Sequence, residues 1–348
     1  MTRGHLNSAG KLTIRDVAGR AGVSPATVSR VINGRPDVSE PLREAVMKVV
    51  RELGYTSGRP SQVAGSGRTG LVGVTLPLIH HSYFSEILAG ATEASYEQGL
   101  SVVLSPTLHE HDREVSLMER LARGVTDGAL LILPEESKEE FIALHEQGYP
   151  FVIVDPHTPL DERVPTVSAD HTSGAREATA HLLALGHRRI AVITGPRGWI
   201  ATEERLRGYR SALADAGLLA DPTLQIESNF RTNGGREATA ELLALRDRPT
   251  AIFAFNDMLA IGAIQGARDH GLRVPEDLSV VGFDDTFEAS ITFPALTTVR
   301  QPLAEMGRMA VTQLLRLLQN RRIEALHVQL ETKLVVRDST AALPSNGR

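Results

Sequence analysis

The sequence predicts an α/β protein: a small all-α head, then a large two-lobed body built on parallel sheets. Three observations carry this expectation. Residues 12–55 read as three short amphipathic helices. Residues 56–70 (TSGRPSQVAGSGRTG) are rich in Gly, Ser and Pro with few large apolar side chains, the composition of a linker. Beyond it, short apolar runs alternate with helix-length amphipathic stretches, and this alternation implies parallel strands joined by crossover helices. It continues for nearly 270 residues. That suits two lobes with a cleft between them, and ligands of such sheets sit beyond the carboxyl ends of the strands.

Within the head, Thr13 can cap the first helix, with Asp16 three residues on, and Ile14, Val17, Ala18 and Ala21 share one face. Gly22 allows a tight turn. Ser24 followed by Pro25 is a cap and first-turn start for the second helix, whose inner face is Val28, Val31 and Ile32. Asn33-Gly34 stops it. Val38-Ser39 starts the third, striped by Leu42, Ala45, Val46, Val49, Val50 and Leu53. In the body, LVGVTLPL, SVVLSP, GALLILP, FVIVDP, RIAVITG, TAIFAFN and LSVVGFDD read as strands. Helices are expected at 84–98, 114–123, 138–147, 175–185, 202–216, 235–245, 258–270 and 303–319. REATAHLLAL (176–185) and REATAELLAL (236–245) repeat one another 60 residues apart, as two equivalent helix–strand units would.

Composition removes several function classes. Hydrophobic residues make up 42% and charged residues 23%, an ordinary soluble balance. No apolar run approaches the ~20 residues of a membrane span, and the N-terminus lacks a secretory apolar region, so a cytoplasmic protein without membrane contact is expected. The absence of cysteine excludes disulfides, thiolate catalysis and cysteine-held zinc. Gly65–Gly70 matches GxGxxG but has a linker before it and a strand after, so it cannot present a phosphate to a helix N-terminus. His109 and His111 lie in a polar stretch without a metal-binding partner, and Glu135-Glu136 with Glu139-Glu140 read as an exposed helix start. No nucleophile–base pattern occurs, so no enzyme, catalytic residue, metal or cofactor is expected.

Charge is uneven. Residues 1–68 carry 11 Lys/Arg against 5 Asp/Glu, whereas the remainder carries 26 against 37. A basic head on an acidic body points the head at nucleic acid. The second helix of TIRDVAGRAGVSPATVSRVING turns Pro25, Ala26, Thr27, Ser29 and Arg30 outward. Small side chains let a helix approach a groove closely, and Arg30 can reach guanine O6 and N7 together. An ordinary three-helix mini-domain would share this outline.

This segment, with Glu52-Leu53-Gly54-Tyr55, resembles the lactose-repressor (LacI/GalR) family of bacterial transcription regulators. GRTGLVGV (67–74), LLALGHRRIAVITGP (182–196), RLRGY (205–209), TAIFAFNDMLAIGA (250–263), GLRVPEDLSVVGFDD (271–285), PALTTVRQP (294–302) and LVVRDST (334–340) extend the resemblance over the whole chain, in family order. It implies a helix-turn-helix domain over 1–56, a hinge over 57–69, and a periplasmic-binding-protein-like effector and dimerisation domain over 70–338. Its first lobe would span about 70–168 and 301–328, its second about 169–300 and 329–338, with a disordered tail at 339–348.

The resemblance further implies that the second helix enters the major groove of double-stranded operator DNA. Pro25 and Ala26 would set base preference, Thr27, Ser29 and Arg30 would contact bases or phosphates, and Asn33 would lie near the backbone. Thr13 and Ser24 would clamp phosphates. Where the family wedges a leucine into the minor groove, this chain has Ala64 beside Val63, and the usual Pro-Asn after the tyrosine is Ser57-Gly58. In the body, the resemblance places Tyr83, Phe84, Asp155, Asp170, Trp199, Arg205, Phe230, Asn256, Asp257, Asp284 and Gln301 around a ligand. Their chemistry suits a mono- or oligosaccharide, since carboxylates, Asn and Arg bond hydroxyls while Trp and Phe face the C–H side of a sugar ring. The implied protein is a homodimeric repressor switched by that sugar. A purine- or other metabolite-responsive co-repressor system, or a solute-binding protein, are the alternatives.

Overall fold

The computed structural model describes residues 14–32, 38–53 and 68–343. The chain divides into two compact units, Met1–Gly67 and Arg68–Arg348. In the first unit, α1 (Ile14–Ala21), α2 (Pro25–Ile32) and α3 (Glu40–Leu53) enclose a core of Val17, Ala18, Val28, Val31 and Val46. Gly22 holds φ at +65°, a conformation a side chain would strain, and so closes the turn between α1 and α2. Ser24 Oγ accepts from Thr27 N at 3.1 Å, so the cap-then-proline start forms as the sequence predicts. On α3, Met47 packs against the core while Ala45 is exposed.

The second unit holds two six-stranded sheets. In lobe one the order is β2 (Ser101–Pro106), β1 (Leu71–Leu76), β3 (Gly128–Ile132), β4 (Phe151–Val154), β5 (Thr166–Ala169), β11 (His327–Leu330), all parallel. In lobe two it is β7 (Gln225–Glu227), β6 (Ile190–Thr194), β8 (Ala251–Ala254), β9 (Ser279–Asp284), β10 (Thr297–Arg300), β12 (Lys333–Val335). Only β12 runs antiparallel. Lobe one carries α4 (Ser82–Glu97), α5 (His111–Arg120), α6 (Lys138–Glu146) and α12 (Leu303–Leu318). Lobe two carries α7 (His171–Ala184), α8 (Ile200–Asp215), α9 (Thr232–Leu243), α10 (Asp257–Asp269) and α11 (Phe287–Ile291). The apolar strands are buried on both faces, as parallel sheets require.

The chain passes between lobes after Ala169, after Arg300 and after Leu330. Strand β11 stays in the first sheet to Leu330, two residues further than the boundary of 328 expected from sequence. The expected disordered tail needs a larger correction. Ser339 is fully buried, its hydroxyl donating to Val280 O at 2.6 Å and accepting from Thr297 N at 2.8 Å. His187 Nε2 bonds Ala341 O at 3.1 Å, and Leu343 N donates to Leu185 O at 3.0 Å. Residues 339–343 therefore form a strap along lobe two, fixed by backbone and hydroxyl hydrogen bonds that no helix or strand period announces.

The repeated REATA sequences acquire a packing reason. A Cβ on Gly208 of α8 would stand 2.2 Å from Thr172 O, and one on Gly262 of α10 2.0 Å from Thr232 O, the equivalent carbonyl one repeat later. Each repeat helix thus lies directly against the backbone of the next helix. Arg176 then pairs with Asp215 at 3.0 Å and Arg236 with Asp269 at 2.5 Å.

Candidate functional site

The two sheets turn their carboxyl ends toward one cavity, about 730 Å³ when the open solvent at its mouth is included. Lobe one supplies Leu78, His81, Tyr83 and Phe84 after β1, His109 after β2, Leu133 after β3 and Asp155 after β4. Lobe two supplies Trp199, Ala201 and Arg205 after β6, Asn229, Phe230 and Arg231 after β7, Asn256 after β8 and Asp284 at the end of β9. This is the strand-end placement that parallel sheets dictate. His109, Leu133, Asp155, Phe230 and Asp284 all take positive φ, between 51° and 121°. Non-glycine residues in that region cost of order 1–3 kcal/mol each and gather where ligands bind.

The floor is a connected polar network. Tyr83 donates its hydroxyl to Asp155 Oδ2 at 2.6 Å, and His171 Nε2 bonds Asp155 Oδ1 at 2.9 Å. Arg205 Nη2 lies 3.2 Å from His171 Nδ1, while Nη1 donates to Phe255 O. A guanidinium only donates, so Nδ1 accepts and Nε2 carries the proton toward Asp155. Arg205 also stands 3.9 Å from Asp284 Oδ1, with its Cζ 4.0 Å from the Phe283 ring centroid. Burial acts to raise Asp155, but His171, the Tyr83 hydroxyl and Arg205 outweigh it and hold the carboxyl at about 2. For Asp284 burial wins over Arg205, and its carboxyl rises well above the usual range. Asp284 therefore keeps its proton where a surface aspartate is ionised, and can donate as well as accept.

Three residues expected at the ligand do not line the cavity. Asp170 caps α7, accepting from Ser173 N at 2.9 Å. Asp257 is fully buried and accepts from Thr286 N at 2.7 Å and Thr298 Oγ1 at 2.5 Å, a strut beneath the loop that follows Asp284. Gln301 stands behind Asp284, donating from Nε2 to its Oδ1 at 2.7 Å. The remaining expected residues, Tyr83, Phe84, Asp155, Trp199, Arg205, Phe230, Asn256 and Asp284, do meet there. Sequence reasoning missed Leu78, His81, His109, Leu133, Ala201, Asn229 and Arg231. Leu78, His81, His109 and Leu133 lie a few residues past an apolar run; Ala201, Asn229 and Arg231 carry no such signal.

Glu136 also departs from expectation. Only 6% of it is exposed, and neither carboxyl oxygen has a partner of its own. It faces the carboxyl of Glu114, which is 1% exposed and accepts from Glu135 N at 2.8 Å. Burial, and for Glu136 also the facing acid, push both carboxyls up. The folded state thus binds protons more tightly than the unfolded chain, so stability falls as pH rises from the ordinary carboxyl range past neutrality. Glu136→Gln removes the repulsion. Urea unfolding should find the variant more stable than wild type by about 1–3 kcal/mol at pH 9 and little changed at pH 5. Equal stability at pH 9 would refute the buried pair.

Residues 13–57 match the family described as bacterial regulatory proteins, lacI family, and residues 179–340 match a periplasmic binding protein-like domain. The chain is 37% identical to the HTH-type transcriptional regulator DegA of Bacillus subtilis, covering 96% of this chain and 99% of that protein. The chain belongs to the LacI family of bacterial regulatory proteins. It is 38% identical to the HTH-type transcriptional regulator CelR of Thermobifida fusca, over 94% of this chain and 98% of that one. Among solved structures, a CelR–cellobiose complex superposes with a TM-score of 0.73 at 36% identity, covering 94% of this chain and all of that one. The lac repressor dimer bound to operator and an anti-inducer gives 0.79 at 31% identity, covering 95% and 100%.

As a LacI-family member, this protein is a DNA-binding transcriptional regulator, and the similar proteins are regulators rather than enzymes. No described helix is long and apolar enough to cross a membrane. On α2, Ser24, Pro25, Ala26 and Arg30 are exposed, Thr27 and Ser29 are half-buried, and Val28 and Val31 face the core. The Thr27 hydroxyl lies 2.8 Å from Ser24 Oγ, so the cap also orients the neighbouring side chain. Thr13, Asn33, Val63 and Ala64 fall outside the described residues.

Proposed function

We propose that this regulator is a homodimeric, cytoplasmic repressor whose hold on operator DNA is set by a small carbohydrate in the inter-lobe cavity. The observation that carries this reading is the pairing, in one cavity, of an aromatic wall with a polar floor. Trp199 and Phe230 stand 5.6 Å apart between ring centroids, beside Arg205, Asp155 and Asp284. Apolar walls with a few fixed polar groups orient a ring that carries hydroxyls. The similar CelR is solved with cellobiose. On the DNA side, this reading has Pro25 and Ala26 set base preference, Thr27, Ser29 and Arg30 contact bases or phosphates, Thr13 and Ser24 clamp phosphates, Asn33 meet the DNA backbone, and Val63 and Ala64 take the place of the family's minor-groove wedge. The ligand acts by preferring one of two lobe arrangements, and shifts operator affinity by that difference.

A thermal-shift series of neutral mono- and disaccharides, followed by operator release measured by fluorescence anisotropy, tests this reading. Asp284→Leu keeps the bulk but removes donor and acceptor, and should raise the sugar concentration for half-release about tenfold or more. Asp284→Asn keeps a donor and an acceptor and should retain most of the response. Equal response in wild type and Asp284→Leu would place the effector elsewhere.

A further inference from the structure

His157 stands outside the polar network of Tyr83, Asp155, His171 and Arg205. It follows β4 on lobe one and is 8% exposed, with Nε2 unpartnered. Its ring lies against Trp199 of lobe two, with centroids 3.8 Å apart and planes inclined by 23°. Ile200 N, the residue after Trp199, donates to His157 O at 2.8 Å. Two contacts therefore tie the lobes at one point, on the loop that carries Trp199 into the cavity. Elsewhere across the cleft, Ser82 of α4 donates to Glu288 of α11 at 2.6 Å.

We propose that His157 is the positioning residue for Trp199, and that lobe closure completes the cavity's aromatic wall through this stack. One face of the indole is taken by His157 on lobe one, and the Phe230 ring of lobe two tilts toward it at 34°. Separating the lobes pulls the imidazole away and leaves the indole facing water. Burial lowers the imidazole to about 4, against the opposing pull of Glu135 and Asp155, so the ring is neutral when it stacks at neutral pH. The lobe that holds Arg205 thus receives its aromatic alignment from the lobe that holds Asp155. Closure and site assembly are one event.

Trp199 is the single tryptophan, so its emission reports the stack alone. Acrylamide quenching and the emission maximum are read on wild type, His157→Ala, His157→Gln and His157→Phe without any sugar. The Ala and Gln variants should show roughly twofold stronger quenching and a red-shifted maximum, and Phe should restore both. Unchanged quenching in a folded Ala or Gln variant overturns the proposal. A second arm, which rests on the carbohydrate reading, adds cellobiose. Half-maximal emission change should need up to about tenfold more cellobiose in the Ala variant, with recovery in Phe. Identical midpoints in wild type and Ala overturn the positioning role. If cellobiose and the other neutral sugars leave wild-type emission and stability untouched while His157→Ala still exposes the indole, the carbohydrate reading fails and the stack stands.

Discussion

Arg205→Met is expected to lower unfolding free energy by about 3–5 kcal/mol and to abolish the response to any sugar. The side chain is 3% exposed and lies on α8 among lobe-two acceptors, His171 Nδ1, Phe255 O and Asp284 Oδ1. Methionine fills much of the stem's volume, so the loss is electrostatic more than steric. Without the guanidinium, His171 Nδ1 and Phe255 O lose their donor, and the ionised carboxyl of Asp155 loses a nearby cation. A buried charge stripped of its partner costs far more than the pair contributes, because desolvation has already been incurred. Urea unfolding followed by far-UV circular dichroism gives the stability change, and operator anisotropy gives the response. Wild-type stability, or release at the wild-type sugar concentration, would sink the central role of Arg205.

How far the sequence reached this site follows from what periodicity encodes. FVIV and SVVGF mark buried strands, and the aspartate just past each run lands at the cavity because the strands of the βα pattern point one way. Asp155 and Asp284 obey that rule, but it is the family resemblance that singles them out from other strand-end residues. His109, Leu133 and Arg231 sit equally near strand ends, but nothing in their own character separates a lining residue from loop surface. Asp257 illustrates the opposite error. It follows FAFN as a site residue would, yet its carboxyl turns inward to Thr286 and Thr298. Only the fold shows which way a side chain at a strand end turns.

The strands that escaped notice are β5, β7, β10, β11 and β12, three or four residues each, with polar members such as Gln225, Arg300 and His327. Tertiary pairing creates them, and local pattern does not. The acid pair escaped for a related reason. Glu136 follows Pro134-Glu135 in a stretch that looks solvated, and the acid it faces, Glu114, lies 22 positions earlier on α5. By contrast, the described part of the head follows local signals at Gly22 and Ser24, while the expected Thr13 cap and Asn33-Gly34 stop lie outside the described residues. Caps, a left-handed glycine and a heptad-like stripe are local signals, and its core uses only neighbours from 14–53.

Arg30→Ala should weaken operator binding by about 1–3 kcal/mol, roughly 5- to 150-fold, and relax preference at one base pair per half-site. The basis is position. Val28 and Val31 fix one side of α2 to the core, which leaves Arg30 on the exposed side, in the last turn of a helix whose first turn shows only Pro25, Ala26 and half-buried Thr27. None of those three presents two donors in a fork. Arginine does, and a bidentate contact to guanine is the strongest discriminator available to this helix. A phosphate contact would act differently: binding would fall uniformly across sequences, and the salt dependence would lose about one counterion per site. Anisotropy titrations on operator and on variants changed at single base pairs, at two salt concentrations, separate the two outcomes. Discrimination that survives Arg30→Ala, with a shallower salt slope, would assign Arg30 to the backbone and leave base reading to Ala26 and Thr27.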